Sequence, residues 1–162
     1  MALSEKLGWT FASFGDYLRR EAQRLNLDHT SREVLQSLGN QSIAGGWEDF
    51  CSAVLKDAGW QNGDGLVIDG IRHIQATEVL RRLVAPLELF LVYVSTDKAV
   101  RKVRLRERSV SEDSLIEILE KHDTETQVKE ILEIYADLVV DGNRDLKEII
   151  RFILSWMDAR TL

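Results

Sequence analysis

The sequence predicts an α/β fold built around a parallel β-sheet. Residues 65–70, 87–94 and 136–140 form three nearly uninterrupted apolar runs, and residues 9–12 form a weaker one. Continuous apolar runs are typical of strands that are covered on both faces, as they are in parallel sheets. Segments with apolar residues three and four positions apart lie between these runs. Strands that alternate with helices in this way predict a parallel sheet with right-handed crossover connections.

The helices between the strands are predicted from their starts. Side chains of Ser, Thr and Asp favour the first position of a helix because their oxygens accept hydrogen bonds from unpaired backbone amides. One start has the Ser/Thr-x-x-Glu spacing of a capping box, and another begins an apolar face that includes Cys51. The predicted helix starts are Asp16, Thr30, Trp47, Asp97 and Asp145.

Length and composition indicate one domain over residues 1–162. The chain has 27 acidic and 21 basic residues, a net charge of −6, and 44% hydrophobic residues, which is the balance of a soluble globular protein. A single cysteine, Cys51, excludes a disulfide framework and a cysteine-rich zinc site. The acidic balance argues against bulk nucleic-acid binding. Without an apolar membrane span or a secretory leader, we expect a cytoplasmic protein with no membrane partner.

The first candidate site follows the strand at residues 9–12. Gly15 allows the backbone to turn into a helix, and Asp16 is positioned to cap that helix. Arg19 lies one turn further along, where its guanidinium is expected to reach an anion held near the helix start.

The second candidate site follows the strand at residues 65–70. Asp69 ends this strand, and a carboxylate there suits Mg²⁺, which prefers oxygen ligands. Gly70 permits close approach of a ligand, and Arg72 offers two parallel donors to a phosphate. Residues 98–108 then contain six basic side chains, the highest local concentration of positive charge in an acidic chain.

These segments together resemble the P-loop nucleotide kinases of the adenylate kinase type, including the dephospho-coenzyme A kinase-like branch. The resemblance covers most of the chain and depends on the order of four motifs. The motifs are Gly15-Asp16-x-x-Arg19, Leu66-Val67-Ile68-Asp69-Gly70-x-Arg72, Arg104-Leu105-Arg106-Glu107-Arg108 and Ala136-Asp137-Leu138-Val139-Val140. It implies a three-layer α/β/α fold, with a nucleoside monophosphate-binding part at about 13–60 and a lid at about 104–127.

The resemblance also implies a reaction and a role for each matching residue. The family transfers the γ-phosphoryl group of ATP, with Mg²⁺, to a nucleoside monophosphate or a related phosphate ester, mainly by aligning the groups and neutralising charge. Asp69 would hold Mg²⁺. The acceptor would contact Ser13, Gly15, Asp16, Arg19, Gly70 and Arg72. ATP would contact Arg104, Arg108, Gly142 and Asn143, and the catalytic set would be Asp69, Arg72, Arg104 and Arg108.

One departure from the family is large. The phosphate-cradling motif Gly-x-x-x-x-Gly-Lys-Ser/Thr, which follows the first and central strand in the family, occurs nowhere in the 162 residues. We therefore expect a truncated kinase that is inactive or weakly active, or a non-catalytic relative that senses a nucleotide. Without the central strand, either the strands at Leu66 and Leu89 pair with each other, or two apolar sheet edges stay open, and an open edge invites oligomerisation.

A simpler interpretation remains for each candidate residue. Asp16 would then be a helix cap only, and Asp69 would only end a strand at a turn. The basic residues at 98–108 would form a solvated helix face, and Arg19 would be a surface side chain without a ligand.

Overall fold

The computed structural model describes residues 1–107 and 131–160, apart from the side chain of Leu105. The chain divides into two compact units, Met1–Leu89 and Phe90–Leu162. The predicted acceptor-binding part, residues 13–60, lies in the first unit. Most of the predicted lid, residues 104–127, lies outside the described residues, and so does Arg108. That the whole chain forms one domain stays a prediction.

The first unit contains five helices and two strands among the described residues. In chain order they are α1 (Ala2–Leu7), β1 (Thr10–Ser13), α2 (Phe14–Arg24), α3 (Arg32–Gly45), α4 (Trp47–Asp57), β2 (Leu66–Asp69) and α5 (Ile74–Leu83). Strands β1 and β2 pair in parallel, with Thr10 opposite Leu66 and Ser13 opposite Asp69. Because the two strands are in register and of equal length, their carboxyl ends coincide.

Helix α4 forms the centre of the first unit's core. Cys51 and Val54 on this helix are essentially inaccessible to solvent, as is Leu80 of α5. The rings of Phe14 and Phe50 meet edge to face at 5.1 Å, which connects the start of α2 to α4. The predicted apolar face of α4 and the core position of Cys51 are confirmed.

Two of the predicted helix caps are wrong by a few residues. Helix α2 is capped by Ser13, whose hydroxyl accepts a hydrogen bond from the Asp16 amide at 3.2 Å, so Asp16 lies inside the first turn. Helix α3 is capped by Ser31, not Thr30. The Thr30 hydroxyl instead donates to the carboxylate of Asp28 at 2.6 Å. In each case two neighbouring side chains could have capped the helix, Ser13 or Asp16 for α2 and Thr30 or Ser31 for α3, and the serine makes the capping hydrogen bond.

The second unit contains a parallel strand pair and two described helices with complete bounds. They are β3 (Val92–Ser95), α6 (Lys98–Glu107), β4 (Leu138–Asp141) and α7 (Leu146–Asp158), and residues 131–134 are also helical. Val92 pairs with Leu138 and Ser95 with Asp141, so these strands also end together. The predicted cap of α7 is confirmed, since the Asp145 carboxylate accepts from the Lys147 amide at 2.8 Å.

The apolar run at 87–94 is only partly a strand. Leu87 and Leu89 pack against the core of the first unit, and the strand begins at Val92, where pairing with β4 starts. The first part of this hydrophobic run therefore packs on the core of the first unit, and the last part forms a strand of the second unit. Periodicity alone does not separate packing of this kind from strand pairing.

The predicted α/β class with parallel strands is confirmed. In the described ranges β1 pairs with β2 within the first unit, and β3 pairs with β4 within the second unit. Every described helix is too short or too polar to span a lipid bilayer.

Candidate functional site

The carboxyl ends of β1 and β2 meet the first turn of α2. Ser13 and Asp69 are register partners at the last positions of the two strands. Gly70 follows with φ of 84°, and a Cβ atom there would lie 3.6 Å from Phe14 Cβ and 3.7 Å from the Gly15 amide nitrogen. The chain beyond β2 therefore packs against the start of α2, with a backbone conformation that favours glycine.

The start of α2 is ordered by Ser13 and Phe14. Ser13 has an extended backbone and its side chain accepts from the third residue of the helix, while Phe14 is buried in the core. The first turn of a helix leaves backbone amides without intrahelical partners, and these amides carry partial positive charge. An anionic group at the end of β1 would therefore be electrostatically favoured.

Arg19 folds back over this first turn. Its Nη1 atom lies 2.8 Å from Oδ1 of Asp16 in an ion pair whose side chains are 52% and 43% exposed. The same Nη1 would lie 3.3 Å from a Cβ atom at position 15, so Gly15 leaves room for the guanidinium. The structure thus places Gly15, Asp16 and Arg19 together, with Arg19 held by Asp16.

Asp69, the last residue of β2, and Arg72 are both exposed. Arg72 lies in the loop that precedes Ile74, the first residue of α5. Within residues 1–107 and 131–160, no group of three or more His, Cys, Asp or Glu side chains could hold a metal ion. Asp69 would therefore hold Mg²⁺ only together with water or substrate oxygens, and Mg²⁺ is commonly bound in that way.

A buried carboxylate behind the site joins α2 to α4. The Asp57 side chain is only 6% exposed, and it pairs with Arg20 and with Arg24, the latter at 3.0 Å. Arg20 Nε also donates to Asp57 at 2.7 Å. Sequence reasoning missed this network, although basic residues four positions apart on one helix are a signal that they share a partner. Burial also raises the pKa of the nearby Tyr17 phenol.

The second group of predicted residues lies at the turn after β4. The Gly142 amide donates to the carbonyl oxygen of Ser95 at 2.6 Å, and the Asn143 Oδ1 atom accepts from the Asp97 amide at 3.0 Å. A Cβ atom at position 142 would come within 2.7 Å of that Ser95 oxygen. The turn is therefore closely attached to the junction between β3 and α6.

Arg104 attaches the same turn to α6. Its two terminal nitrogens donate to the carbonyl oxygens of Gly142 at 2.7 Å and of Arg144 at 3.4 Å. The Asp141 carboxylate accepts from the Asn143 amide and pairs with Arg144, and this lowers its pKa, the amide hydrogen bond having the larger effect. Arg104, Gly142 and Asn143 thus lie together. Both terminal nitrogens of Arg104 already donate hydrogen bonds to backbone carbonyl oxygens of the protein.

The predicted site residues therefore form one group within each unit. The first group is Ser13, Gly15, Asp16, Arg19, Asp69 and Gly70, with Arg72 two residues further along the chain. The second group is Arg104, Gly142 and Asn143. The ligand roles assigned to these residues stay predictions.

The molecule so described is an α/β protein with polar residues at the ends of its parallel strands. No protein-family model matches the chain. It is similar to a UPF0200 protein of Pyrobaculum aerophilum, with 34% identity over 111 residues, which are 68% of this chain and 59% of that protein. It is also similar to a UPF0200 protein of Aeropyrum pernix, with 29% identity over 149 residues, 86% of this chain and 74% of that protein. Its homologues are thus UPF0200 proteins, a name that states no activity.

Proposed function

We propose that the chain forms the acceptor-binding and nucleotide-binding parts of an ATP-dependent phosphotransferase. The reaction moves the γ-phosphoryl group of Mg·ATP to a nucleoside monophosphate or a related phosphate ester. The phosphate-cradling loop is absent from the 162 residues, so the chain alone is inactive or weakly active.

The observation that carries this proposal is the meeting of β1, β2 and α2. Ser13 and Asp69 end adjacent parallel strands, and Gly70 packs on the first turn of α2 beside Gly15. Ligands of open parallel sheets bind beyond the carboxyl ends of the strands. A helix start, an arginine and a strand-end carboxylate at that edge supply an anion site next to a Mg²⁺ ligand.

The turn at residues 141–144 supports the nucleotide side of the proposal. Its backbone is held by Ser95 at the end of β3 and by Arg104, and its Asn143 side chain by the Asp97 amide, so it offers a well-held surface for a ligand. Rigid positioning is what phosphoryl transfer requires, since the protein contributes mainly alignment and charge neutralisation.

The first test concerns the missing loop. The gene is read in frame upstream of Met1, and a longer protein is made if a strand pattern ending in Gly-x-x-x-x-Gly-Lys-Ser/Thr is found. Phosphoryl transfer from ATP to a panel of nucleoside monophosphates should rise at least ~10²–10³-fold over the present chain, as expected when preorganised donors are restored. The lysine-to-alanine variant of the longer protein is the control. A longer protein that has the motif and still transfers no phosphoryl group would contradict the proposal.

The second test concerns the acceptor site. Calorimetry with AMP as the probe should show binding that falls at least about tenfold in Arg19→Met and in Arg72→Met, because each removes a charge-assisted hydrogen bond. Arg151→Met is the matched control, since Arg151 is an exposed arginine of α7 in the other unit. Equal losses in all three variants would indicate general electrostatics and would count against a specific site.

A non-catalytic nucleotide sensor is the second candidate, and the missing phosphate motif favours it. Such a protein would bind a monophosphate through Arg19 and Arg72 without binding Mg·ATP. Calorimetry with mono- and triphosphates separates the two functions when it is carried out on the longest natural form of the protein.

A further inference from the structure

The first group of site residues contains a carboxylate, that of Asp16, which would compete with a phosphate ligand for Arg19. Asp16 lies three residues before Arg19 on α2, and the two side chains form the 2.8 Å ion pair described above. Both are about half exposed, so a ligand in solution can reach the pair. Gly15 has no Cβ, and the Arg19 guanidinium lies where a Cβ would approach it to 3.3 Å.

We propose that Asp16 is the resting counter-ion of Arg19 and sets the affinity of this site for phosphate. The Asp16 carboxylate contacts one guanidinium nitrogen of Arg19, Nη1, so a phosphate group that uses this donor displaces the carboxylate. This inference depends on the proposed function, because it assumes that Arg19 contacts the acceptor phosphate. It gives Asp16 a role in selecting the ligand, in addition to its place in the first turn of the helix.

The physical argument concerns the charge on both sides of the exchange. Before binding, the negative Asp16 neutralises the positive Arg19. After binding, the phosphate and the displaced carboxylate lie near each other and repel. Asp69 at the adjacent strand end adds a second negative charge, and Arg72 adds a positive one. Repulsion between a carboxylate and a dianion about 6 Å apart in solvent, together with the lost ion pair, corresponds to roughly tenfold in affinity.

The chain contains a matched control for this pair. Glu21 and Arg24 also lie three residues apart on α2 and form an ion pair at 3.0 Å. That pair belongs to the Asp57 network at the other end of the helix, and nothing assigns it to the acceptor site. Glu21→Gln therefore removes the same charge from the same helix without touching the proposed site.

The experiment titrates inorganic phosphate into the wild-type protein, Asp16→Asn, Glu21→Gln, Arg19→Met and the double variant Asp16→Asn/Arg19→Met, measured by calorimetry. Asp16→Asn should bind phosphate about tenfold more tightly, and Glu21→Gln should change affinity less than twofold. The gain should disappear in the double variant. In the wild-type protein, phosphate should also shift the ¹³C resonance of the Asp16 carboxylate, a readout that needs no variant to fold.

The outcomes separate this inference from the proposed function. If Arg19→Met weakens phosphate binding but Asp16→Asn does not strengthen it, the counter-ion role is overturned and the acceptor site stands. Phosphate binding that leaves the Asp16 resonance unmoved overturns the counter-ion role in the same way. If Arg19→Met binds phosphate as well as the parent does, in both backgrounds, the acceptor site and the counter-ion role are both overturned.

Discussion

Gly142 offers the sharpest test of how the turn after β4 is held. In Gly142→Ala, the new Cβ atom would clash with Thr96 Oγ1 and would lie 2.7 Å from the Ser95 carbonyl oxygen and 2.8 Å from Val94 Cγ1. The threonine hydroxyl can rotate away, but the Ser95 oxygen is backbone and already accepts from the Gly142 amide at 2.6 Å. The substitution must therefore move one strand end relative to the other.

The expected cost follows from two contributions. Forcing a methyl group into a filled space costs about 1–3 kcal/mol. Weakening the hydrogen bond between Gly142 and Ser95 adds about 1 kcal/mol. The free energy of opening this part of the chain should therefore fall by roughly 2–4 kcal/mol.

Hydrogen exchange read by mass spectrometry measures this loss locally. Peptides covering residues 92–107 and 138–158 should exchange roughly 30- to 1,000-fold faster in Gly142→Ala, the factor that 2–4 kcal/mol implies. Gly39→Ala in α3 is the matched control, because a Cβ there would only touch Leu18 at 3.5 Å. It should stabilise its helix by about 0.5–1 kcal/mol. If the Gly142→Ala protein exchanges at the wild-type rate, the turn after β4 is not tightly packed against the end of β3.

Three residues of the first unit, Cys51, Asp57 and Ser13, allow further predictions. The Cys51 thiol has its pKa raised to about 11 by burial, so it should resist Ellman's reagent near pH 8 until urea unfolds the protein. Because the raised pKa keeps the folded thiol neutral, stability should decrease as the pH rises from the ordinary value of 9.0 towards 11. Asp57→Ala should destabilise the protein by about 1–3 kcal/mol in urea unfolding, since Arg20 and Arg24 lose a shared partner. Ser13→Ala should cost ~1 kcal/mol in the same assay through loss of the α2 cap.

Each of these has a result that would contradict it. Rapid labelling of Cys51 in the folded protein would show that α4 opens readily. An Asp57→Ala protein as stable as the wild type would mean that the two arginines are equally well satisfied by water. A Ser13→Ala protein with wild-type stability in urea would show that the Ser13 hydroxyl does not stabilise the start of α2.

The sequence predicted the strands and most helices because their apolar patterns are strong. β2 lies within the run at 65–70, β4 begins in the run at 136–140 and ends one residue beyond it, and Asp145 caps α7. The prediction was less accurate where one run serves two purposes, as at 87–94, because packing and pairing bury similar residues.

Part of the candidate site could be predicted from the sequence, and the reason is physical. Strand ends in a parallel sheet coincide, so the residues after β1 and β2 had to meet once the two strands paired in register. What the sequence could not give is the state of each arginine. Arg19 is held by Asp16 and Arg104 by two backbone oxygens, and such partners depend on side-chain direction and not on spacing alone.

The grip of two arginines on Asp57 has a mechanical consequence. Arg20 and Arg24 are one helical turn apart, so α2 cannot slide or spin against α4 without releasing at least one of them. A movement of the α2 backbone should then carry α4 with it, whereas the Arg19 side chain can exchange partners while both helices stay in place.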